Sequence, residues 1–179
     1  STDFIFVGSK TTPYTEVDVP LPTGVYAQTK LDGEKAIQAV FDQYFIIRTS
    51  WVYSQFGNNF MKTMLRLASE RDSLSVVNDQ IGTPTNAVDL ANAIIKIILS
   101  KSNAFGIYHF SNEGTASWYD FAKKIFEINN IKIDLKPIPT TDFPTPAKRP
   151  KYSVLDKSKI KKNFDIQINN WENSIPKMY

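Results

Sequence analysis

The chain lacks cysteine altogether and contains a single histidine among its 179 residues. The absence of cysteine excludes disulfide bridges and thiolate metal sites. No apolar run approaches the roughly 18 residues that a membrane-spanning helix needs, so we predict no membrane association. A chain without cysteine also suits the reducing cytoplasm, which is the localisation we predict.

Strong charge of either sign is lacking too, since the formal net charge is +3 and the basic residues are dispersed. A nucleic-acid-binding face needs denser positive charge, so we predict no nucleic-acid partner. The sequence has no His, Asp or Glu cluster with metal-ligand spacing, so we predict no metal site. His109, the single histidine, lies in an apolar run, which favours a buried structural role over catalysis.

Glycine is scarce and scattered, with seven residues in the chain. None of them forms the glycine-rich strand–turn–helix in which backbone N–H groups hold a dinucleotide diphosphate. We therefore expect that the chain alone does not bind a dinucleotide tightly. The chain starts at Ser1 without methionine, directly before an apolar run, and we interpret this as an artificial boundary.

Apolar residues make up 42% of the chain and aromatic residues 13%, which is ample for a packed core. Segments with strand and helix character alternate along the sequence. The predicted strands are 4–7, 44–52, 74–77, 106–110 and 134–138. The predicted helices are 25–40, 58–71, 87–99, 117–129, 158–164 and 171–178. This alternation predicts an α/β fold with an at least partly parallel sheet.

Tyr26 and Lys30 form a Tyr-x-x-x-Lys pair inside the first predicted helix, downstream of Ser1-Thr2-Asp3. Residues four apart lie on one helical face, so the phenol and the ammonium are neighbours. A phenol whose anion is stabilised by a cation can protonate a carbonyl oxygen. Taken alone, such a pair arises more often by chance than by function.

An ordered series of further motifs accompanies this pair. The series comprises Ser1-Thr2-Asp3-Phe4-Ile5-Phe6, Tyr26-x3-Lys30-Leu31-x-Gly33-Glu34, Arg48-Thr49-Ser50-Trp51-Val52-Tyr53, Gly57-Asn58-Asn59-Phe60, Asp79-Gln80-x-Gly82-x-Pro84-Thr85, Ser117-Trp118-Tyr119-Asp120-Phe121 and Pro144-Thr145-Pro146-Ala147-x-Arg149-Pro150. Over essentially its whole length the chain closely resembles the dTDP-4-dehydrorhamnose reductases, an extended branch of the short-chain dehydrogenase/reductases. The chain departs from the family pattern at Phe4, because members of the family often have a residue with an aromatic hydroxyl at this position.

The resemblance implies a C-terminal fragment that lacks the N-terminal dinucleotide-binding half. Residues 1–56 and 86–111 would be the remnant of a doubly wound, Rossmann-like parallel sheet. Residues 57–85 and 112–179 would form a smaller mixed α/β domain that binds the sugar nucleotide. We expect the fragment alone to be inactive and to expose a strand edge, which a homodimer would cover.

The resemblance also implies a reaction, in which NADPH or NADH reduces the C4 keto group of dTDP-4-dehydro-L-rhamnose to give dTDP-L-rhamnose. Tyr26 would protonate the C4 oxygen as hydride arrives. Lys30 would hold the nicotinamide ribose and stabilise the phenolate, so Tyr26 and Lys30 are also the predicted cofactor contacts. The Thr2 hydroxyl would help to orient the carbonyl.

The predicted substrate contacts are Thr2, Asp3, Trp51, Asn59 and Arg149. Trp51 would lie against the deoxysugar ring, although a place in the core is equally favoured. Asn59 is first a helix cap, with an approach to dTDP as the lesser alternative. Arg149 and its neighbour Lys148 would clamp the diphosphate, against the alternative of a solvated loop.

Alternative functions remain open at this point. A related sugar-nucleotide epimerase or dehydratase would need further acid–base residues near Tyr26, and only Asp3 is present in the upstream segment. A non-catalytic binding or regulatory subunit would have no need of Tyr26, Lys30 and Thr2 together. The sequence therefore favours the reductase.

Overall fold

The computed structural model describes residues 1–145 and 149–178, in which helices alternate with short strands. The helices are α1 (Val25–Val40), α2 (Phe60–Glu70), α3 (Ala87–Ser100), α4 (Trp118–Ile128), α5 (Ser158–Phe164) and α6 (Trp171–Ser174). The strands are β1 (Phe45–Arg48), β2 (Val52–Tyr53), β3 (Ser73–Val77), β4 (Ile81–Gly82), β5 (Thr85–Asn86), β6 (Gly106–His109), β7 (Ala116–Ser117) and β8 (Asp134–Ile138). No helix among these residues is long and apolar enough to cross a membrane.

The strands of the described residues pair as β1–β6, β2–β5 and β3–β8, all parallel, and as β4–β7, which is antiparallel. In the β1–β6 pair Phe45 lies opposite Gly106 and Arg48 opposite His109. Parallel strands require a crossover, and α2 and α3 lie in the chain between β1 and β6. The predicted α/β class with a partly parallel sheet is confirmed.

Apolar side chains form separate clusters around these pairs. One cluster joins α3 and α5 to β6 and includes Ile97, Tyr108 and Ile160. A second lies under α1, where Leu31 packs with Phe6 and other residues of the first segment. The largest cluster packs α2 and α4 onto β3, with Phe121 and Ile125 fully buried.

The predicted strand at 4–7 is wrong, because Asp3–Ile5 is a 3₁₀ turn. The Thr2 hydroxyl accepts a hydrogen bond from the N–H of Phe4 and caps this turn, and the N–H of Phe6 donates to the carbonyl of Asp3. Within residues 1–7, the strand-like pairing is the bridge from Thr2 to Thr49. A short apolar run shows burial but does not by itself distinguish a strand from a buried turn.

Two other predicted elements are shorter than expected. The predicted strand 44–52 is interrupted at Trp51, whose φ of +46° turns the chain between β1 and β2. The predicted helix 171–178 ends at Ser174, because Ile175 precedes Pro176 and adopts an extended conformation.

The division into a cofactor part and a substrate part stays a prediction. The apolar clusters run partly across it, since Ile160 and Phe164 of α5 pack with Tyr108 of β6. The predicted division assigns α5 to the substrate domain and β6 to the cofactor domain.

Candidate active site

Tyr26 and Lys30 lie one turn apart near the start of α1, as the spacing predicts. Helix α1 buries Ala27, Leu31 and Glu34 on its other side. The Tyr26 side chain is therefore left 55% exposed. The Lys30 ammonium lies 5.7 Å from the centre of the Tyr26 ring. Among the described residues neither the Tyr26 hydroxyl nor the Lys30 ammonium has a hydrogen-bond partner, so both are available to a ligand.

The capped turn at Thr2 meets the same end of α1. Phe4, in the middle of this turn, packs edge-on against Tyr26 with the ring centres 5.9 Å apart. Thr2 is anchored by its bridge to Thr49 at the carboxyl end of β1, where the N–H of Asp3 donates to the carbonyl of Thr49. The fold thus brings Thr2 near Tyr26. The Phe4 ring makes the contact between the turn and Tyr26.

Asp3 is a buried carboxylic acid beside this turn. It is 2% exposed, its Oδ1 is 3.3 Å from the Thr2 hydroxyl, and its Oδ2 has no hydrogen-bond partner. Burial raises the pKa of Asp3 to about 6, although the hydroxyls of Ser153 and Thr2 partly oppose the rise. A buried acceptor without a partner destabilises the folded state, so stability does not explain Asp3. Contact between Asp3 and a sugar stays a prediction.

We expect Asp3→Asn to raise the free energy of unfolding by about 3 kcal/mol at neutral pH, from a pKa difference of about two units. A carboxyl whose pKa rises from 3.8 to about 6 on folding contributes its full stability below pH 3.8 and loses it as the pH rises through 6. Asparagine stays neutral, so the gain should fade below pH 4. Urea unfolding across this pH range measures the change in the free energy of unfolding.

The matched control is Asp42→Asn at an exposed aspartate, for which we expect a change below about 0.5 kcal/mol. The variant must be compared with wild type at each pH, because the stability of both depends on pH for a second reason. Burial lowers the pKa of His109 to about 4. His109 therefore favours unfolding as the pH falls from 6.5 to 4 and opposes the effect of Asp3. If Asp3→Asn raised the free energy of unfolding equally at every pH, the raised pKa of Asp3 would not be its cause.

Trp51 leaves β1 in a left-handed conformation, with φ +46°. Its indole stacks on that of Trp118 at the start of α4, with ring centres 3.6 Å and planes 9° apart. Gly82 makes room for it, since a Cβ at this position would lie 2.6 Å from the Trp51 ring. A strained non-glycine residue held by close packing is typical of a functional position. Contact between Trp51 and a sugar stays a prediction.

Arg149 and Asn59 are the remaining predicted substrate contacts. The Arg149 guanidinium is 5.8 Å from the centre of the Trp118 ring. Asn59 caps α2, accepting from the N–H of Lys62 and donating to the carbonyl of Ser54, so the predicted cap is confirmed. Its approach to dTDP, like the diphosphate contact of Arg149, stays a prediction. Lys148 lies outside the described residues.

Behind α1 lies a buried polar network. The Arg48 guanidinium donates through Nε and Nη2 to the Glu34 carboxylate, at 3.0 and 2.7 Å, with both side chains at most 3% exposed. His109 Nε2 faces Arg48, and Nδ1 lies 3.1 Å from the carbonyl of Tyr14, which requires the proton on Nδ1. The predicted structural role of His109 agrees with this arrangement.

The sequence analysis singled out Trp51 and Arg149 as substrate contacts but not Trp118, which contacts both of them and packs against the core. The capping box of Ser117 and Asp120 fixes the start of α4, so Trp118 is its first helical residue and reaches the edge of the cluster. Its position at the start of a helix, directly after the capping residue Ser117, was the available signal. Among the described residues no group of His, Asp or Glu side chains is arranged to hold a metal ion.

The whole chain, residues 1–179, matches the family model described as the RmlD substrate binding domain. This chain belongs to that family. It is 44% identical to the dTDP-4-dehydrorhamnose reductase of Escherichia coli K12, over 99% of this chain and 62% of that relative. The chain thus spans about three fifths of the length of the curated relatives that it matches.

Solved structures of other proteins superimpose on this fold. A dTDP-4-dehydrorhamnose reductase from Bacillus anthracis in complex with NADP is 43% identical, with a TM-score of 0.93 over 97% of this chain and 61% of that chain. A UDP-glucuronic acid 4-epimerase from Bacillus cereus in complex with NAD reaches a TM-score of 0.77 over 97% of this chain and 55% of that chain. Its identity is 20%, so that likeness concerns the fold alone.

Proposed function

We propose that this chain is the substrate-binding part of a dTDP-4-dehydrorhamnose reductase, which reduces the C4 keto group of dTDP-4-dehydro-L-rhamnose. The observation that carries the proposal is the pair of unpartnered groups on Tyr26 and Lys30, placed beside the turn that Thr2 caps. The higher identity to reductases than to epimerases favours this reaction over epimerisation.

The chemistry assigns one task to each group of this site. The Tyr26 hydroxyl protonates the C4 oxygen, and the Lys30 ammonium stabilises the phenolate that remains. The Thr2 hydroxyl orients the same oxygen by a hydrogen bond. Asp3 accepts a hydrogen bond from a sugar hydroxyl through its free Oδ2, and the Trp51 indole lies against the apolar face of the sugar.

The residues present fit one end of a nicotinamide cofactor. Lys30 offers three N–H donors on an exposed helix face, which suits a ribose diol beside Tyr26. NADPH or NADH would supply hydride to C4. The diphosphate cradle is not among the described residues, and we propose that residues beyond this chain provide it, so that the fragment alone is inactive.

Further parts of the proposal concern the setting of the enzyme. We propose that it acts in the cytoplasm, binds no nucleic acid and self-associates as a homodimer. Its partner is a soluble dTDP-sugar. Size-exclusion chromatography of the full-length protein tests the dimer.

The reductase proposal is tested on the full-length protein, by following oxidation of NADPH and of NADH with dTDP-4-dehydro-L-rhamnose. We expect turnover that gives dTDP-L-rhamnose, identified by chromatography and NMR. A protein that binds the sugar nucleotide yet oxidises neither cofactor would overturn the reductase and favour a non-catalytic binding subunit. Conversion without net cofactor oxidation would favour an epimerase.

A further inference from the structure

Residues 151–156, between Pro150 and α5, run between two other parts of the chain. On one side the N–H of Ser153 donates to the carbonyl of Ile81 in β4, at 2.8 Å. On the other side Leu155 forms a parallel bridge with Tyr14. Pairing on two sides holds the segment in place. Segment 151–156 therefore joins β4 to the loop that precedes α1.

Glycine leaves room for this segment at both neighbours. A Cβ at Gly8 would lie 2.7 Å from the Cβ of Pro150. A Cβ at Gly82 would lie 2.9 Å from the Ser153 hydroxyl and 2.6 Å from the Trp51 ring. The Ser153 hydroxyl and the Trp51 indole thus pack against the same side of Gly82.

The packing of Leu155 makes the segment a rigid support. Leu155 is fully buried and packs in one cluster with Phe6, which follows the Thr2 turn, and with Leu31 of α1. Side chains on elements that are fixed by packing can hold a functional group to within a fraction of an ångström. Ser153 is therefore held in position relative to both the turn and the helix that carries Tyr26.

Ser153 lies beside the buried carboxyl of Asp3. It is 3% exposed, and its hydroxyl faces the Asp3 carboxylate. Burial raises the pKa of Asp3 to about 6, and the Ser153 hydroxyl is the strongest influence that opposes the rise. The other main influences are neutral too, namely the Thr2 hydroxyl and the backbone of Asp3 and Phe4. A hydroxyl donates to a carboxylate and so favours its ionised form.

We propose that Ser153 is a positioning residue of the reductase and that its hydroxyl holds the Asp3 carboxylate ready to accept a hydrogen bond from the sugar. Ser153 acts through Asp3 and does not touch the reacting carbonyl. Trp51 packs against the same glycine, so one segment supports two of the predicted sugar contacts. This inference rests on the proposed function, since it names a residue that supports the same substrate site.

The first test uses this chain and needs no turnover. The gain in the free energy of unfolding from Asp3→Asn should level off above pH 6, once Asp3 is ionised in the folded wild type. In a Ser153→Ala background the gain should level off at a higher pH, because the hydroxyl that favours the ionised carboxylate is gone. Ser158→Ala is the matched control, since that exposed hydroxyl donates to Asp156, and it should leave this pH unchanged.

The second test is the pH dependence of kcat/KM in the full-length protein, which reports groups of the free enzyme. We expect kcat/KM of wild type to rise as Asp3 ionises near pH 6. Ser153→Ala should move this rise to higher pH and lower kcat/KM at pH 6 by about tenfold, the lower end for one hydrogen bond to a charged group. The loss should shrink toward pH 8, where Asp3 is ionised in both proteins.

A double variant separates positioning from packing. In an Asp3→Asn background, Ser153→Ala should change kcat/KM by less than about twofold, because the group through which Ser153 acts is gone. Circular dichroism establishes that each variant is folded. Should Ser153→Ala not fold, Ser153→Cys keeps the shape of the side chain with a weak donor and should shift both pH profiles in the same direction.

The outcomes separate this inference from the reductase proposal. A loss that is equal at every pH and equally large in the Asp3→Asn background would show that Ser153 only supports packing around Gly82, and would overturn its role. Wild-type kcat/KM in Asp3→Asn would overturn it as well. In both cases turnover by the full-length wild type would still support the reductase. A full-length protein without turnover would overturn the reductase, and the stability test would still decide whether Ser153 acts on Asp3.

Discussion

In the full-length protein, Tyr26→Phe is expected to lower kcat by about 10²-fold or more, the usual contribution of a positioned general acid. The substitution removes the hydroxyl that would protonate the C4 oxygen. It leaves the ring, so the edge-on packing against Phe4 and the position of α1 should persist. Initial rates of NADPH or NADH oxidation at saturating substrate measure the loss.

Tyr44→Phe is the matched control for this experiment. Tyr44 directly precedes β1 and so lies at the opposite end of that strand from the turn at Thr49. Loss of its hydroxyl should leave kcat within about twofold, since it touches no group of the site. If Tyr26→Phe also stays within twofold, another group donates the proton. An unchanged KM with reduced kcat would place the hydroxyl in the chemical step, because binding would then be unaffected.

Local signals predicted the parts of this molecule that depend on neighbouring residues. Tyr26 and Lys30 share a helical face because α1 is regular, and Asn59 caps α2 where its residue type and position indicated it. The error at 4–7 has a non-local cause. The bridge from Thr2 to Thr49 and the hydroxyl of Thr2 turn the chain, and an apolar pattern carries no information about either.

The site depends more strongly on contacts between distant residues. Trp51 and Trp118 stack across 67 positions of sequence, counted from their residue numbers, and Gly82 permits the approach. Neither periodicity nor composition predicts such a contact. The motif series drew attention to Trp51 and Arg149 individually, whereas their common neighbour Trp118 became visible only in the fold.

The second large effect is expected at the buried ion pair behind α1. Arg48→Met should lower the free energy of unfolding by about 3–5 kcal/mol, as for other buried pairs that lose one partner. The Glu34 carboxylate would remain buried without its hydrogen bonds from the guanidinium. Burial would raise the pKa of Glu34, but hydrogen bonds from Arg48 and the Ser1 amino group outweigh it and lower the pKa. Urea unfolding of the folded chain measures the change.

Arg66→Met is the matched control, because Arg66 and Glu70 form the same kind of pair on the exposed face of α2. That pair should contribute only about 0.3–0.5 kcal/mol. Equal losses in the two variants would show that burial does not strengthen the Arg48 pair. Adding Glu34→Leu to Arg48→Met should restore part of the stability, because the unpaired carboxylate is then gone. Since Glu34 lies one turn beyond Lys30 on α1, a double variant that is stable but slow in the full-length enzyme would identify the pair as a positioning element for Lys30.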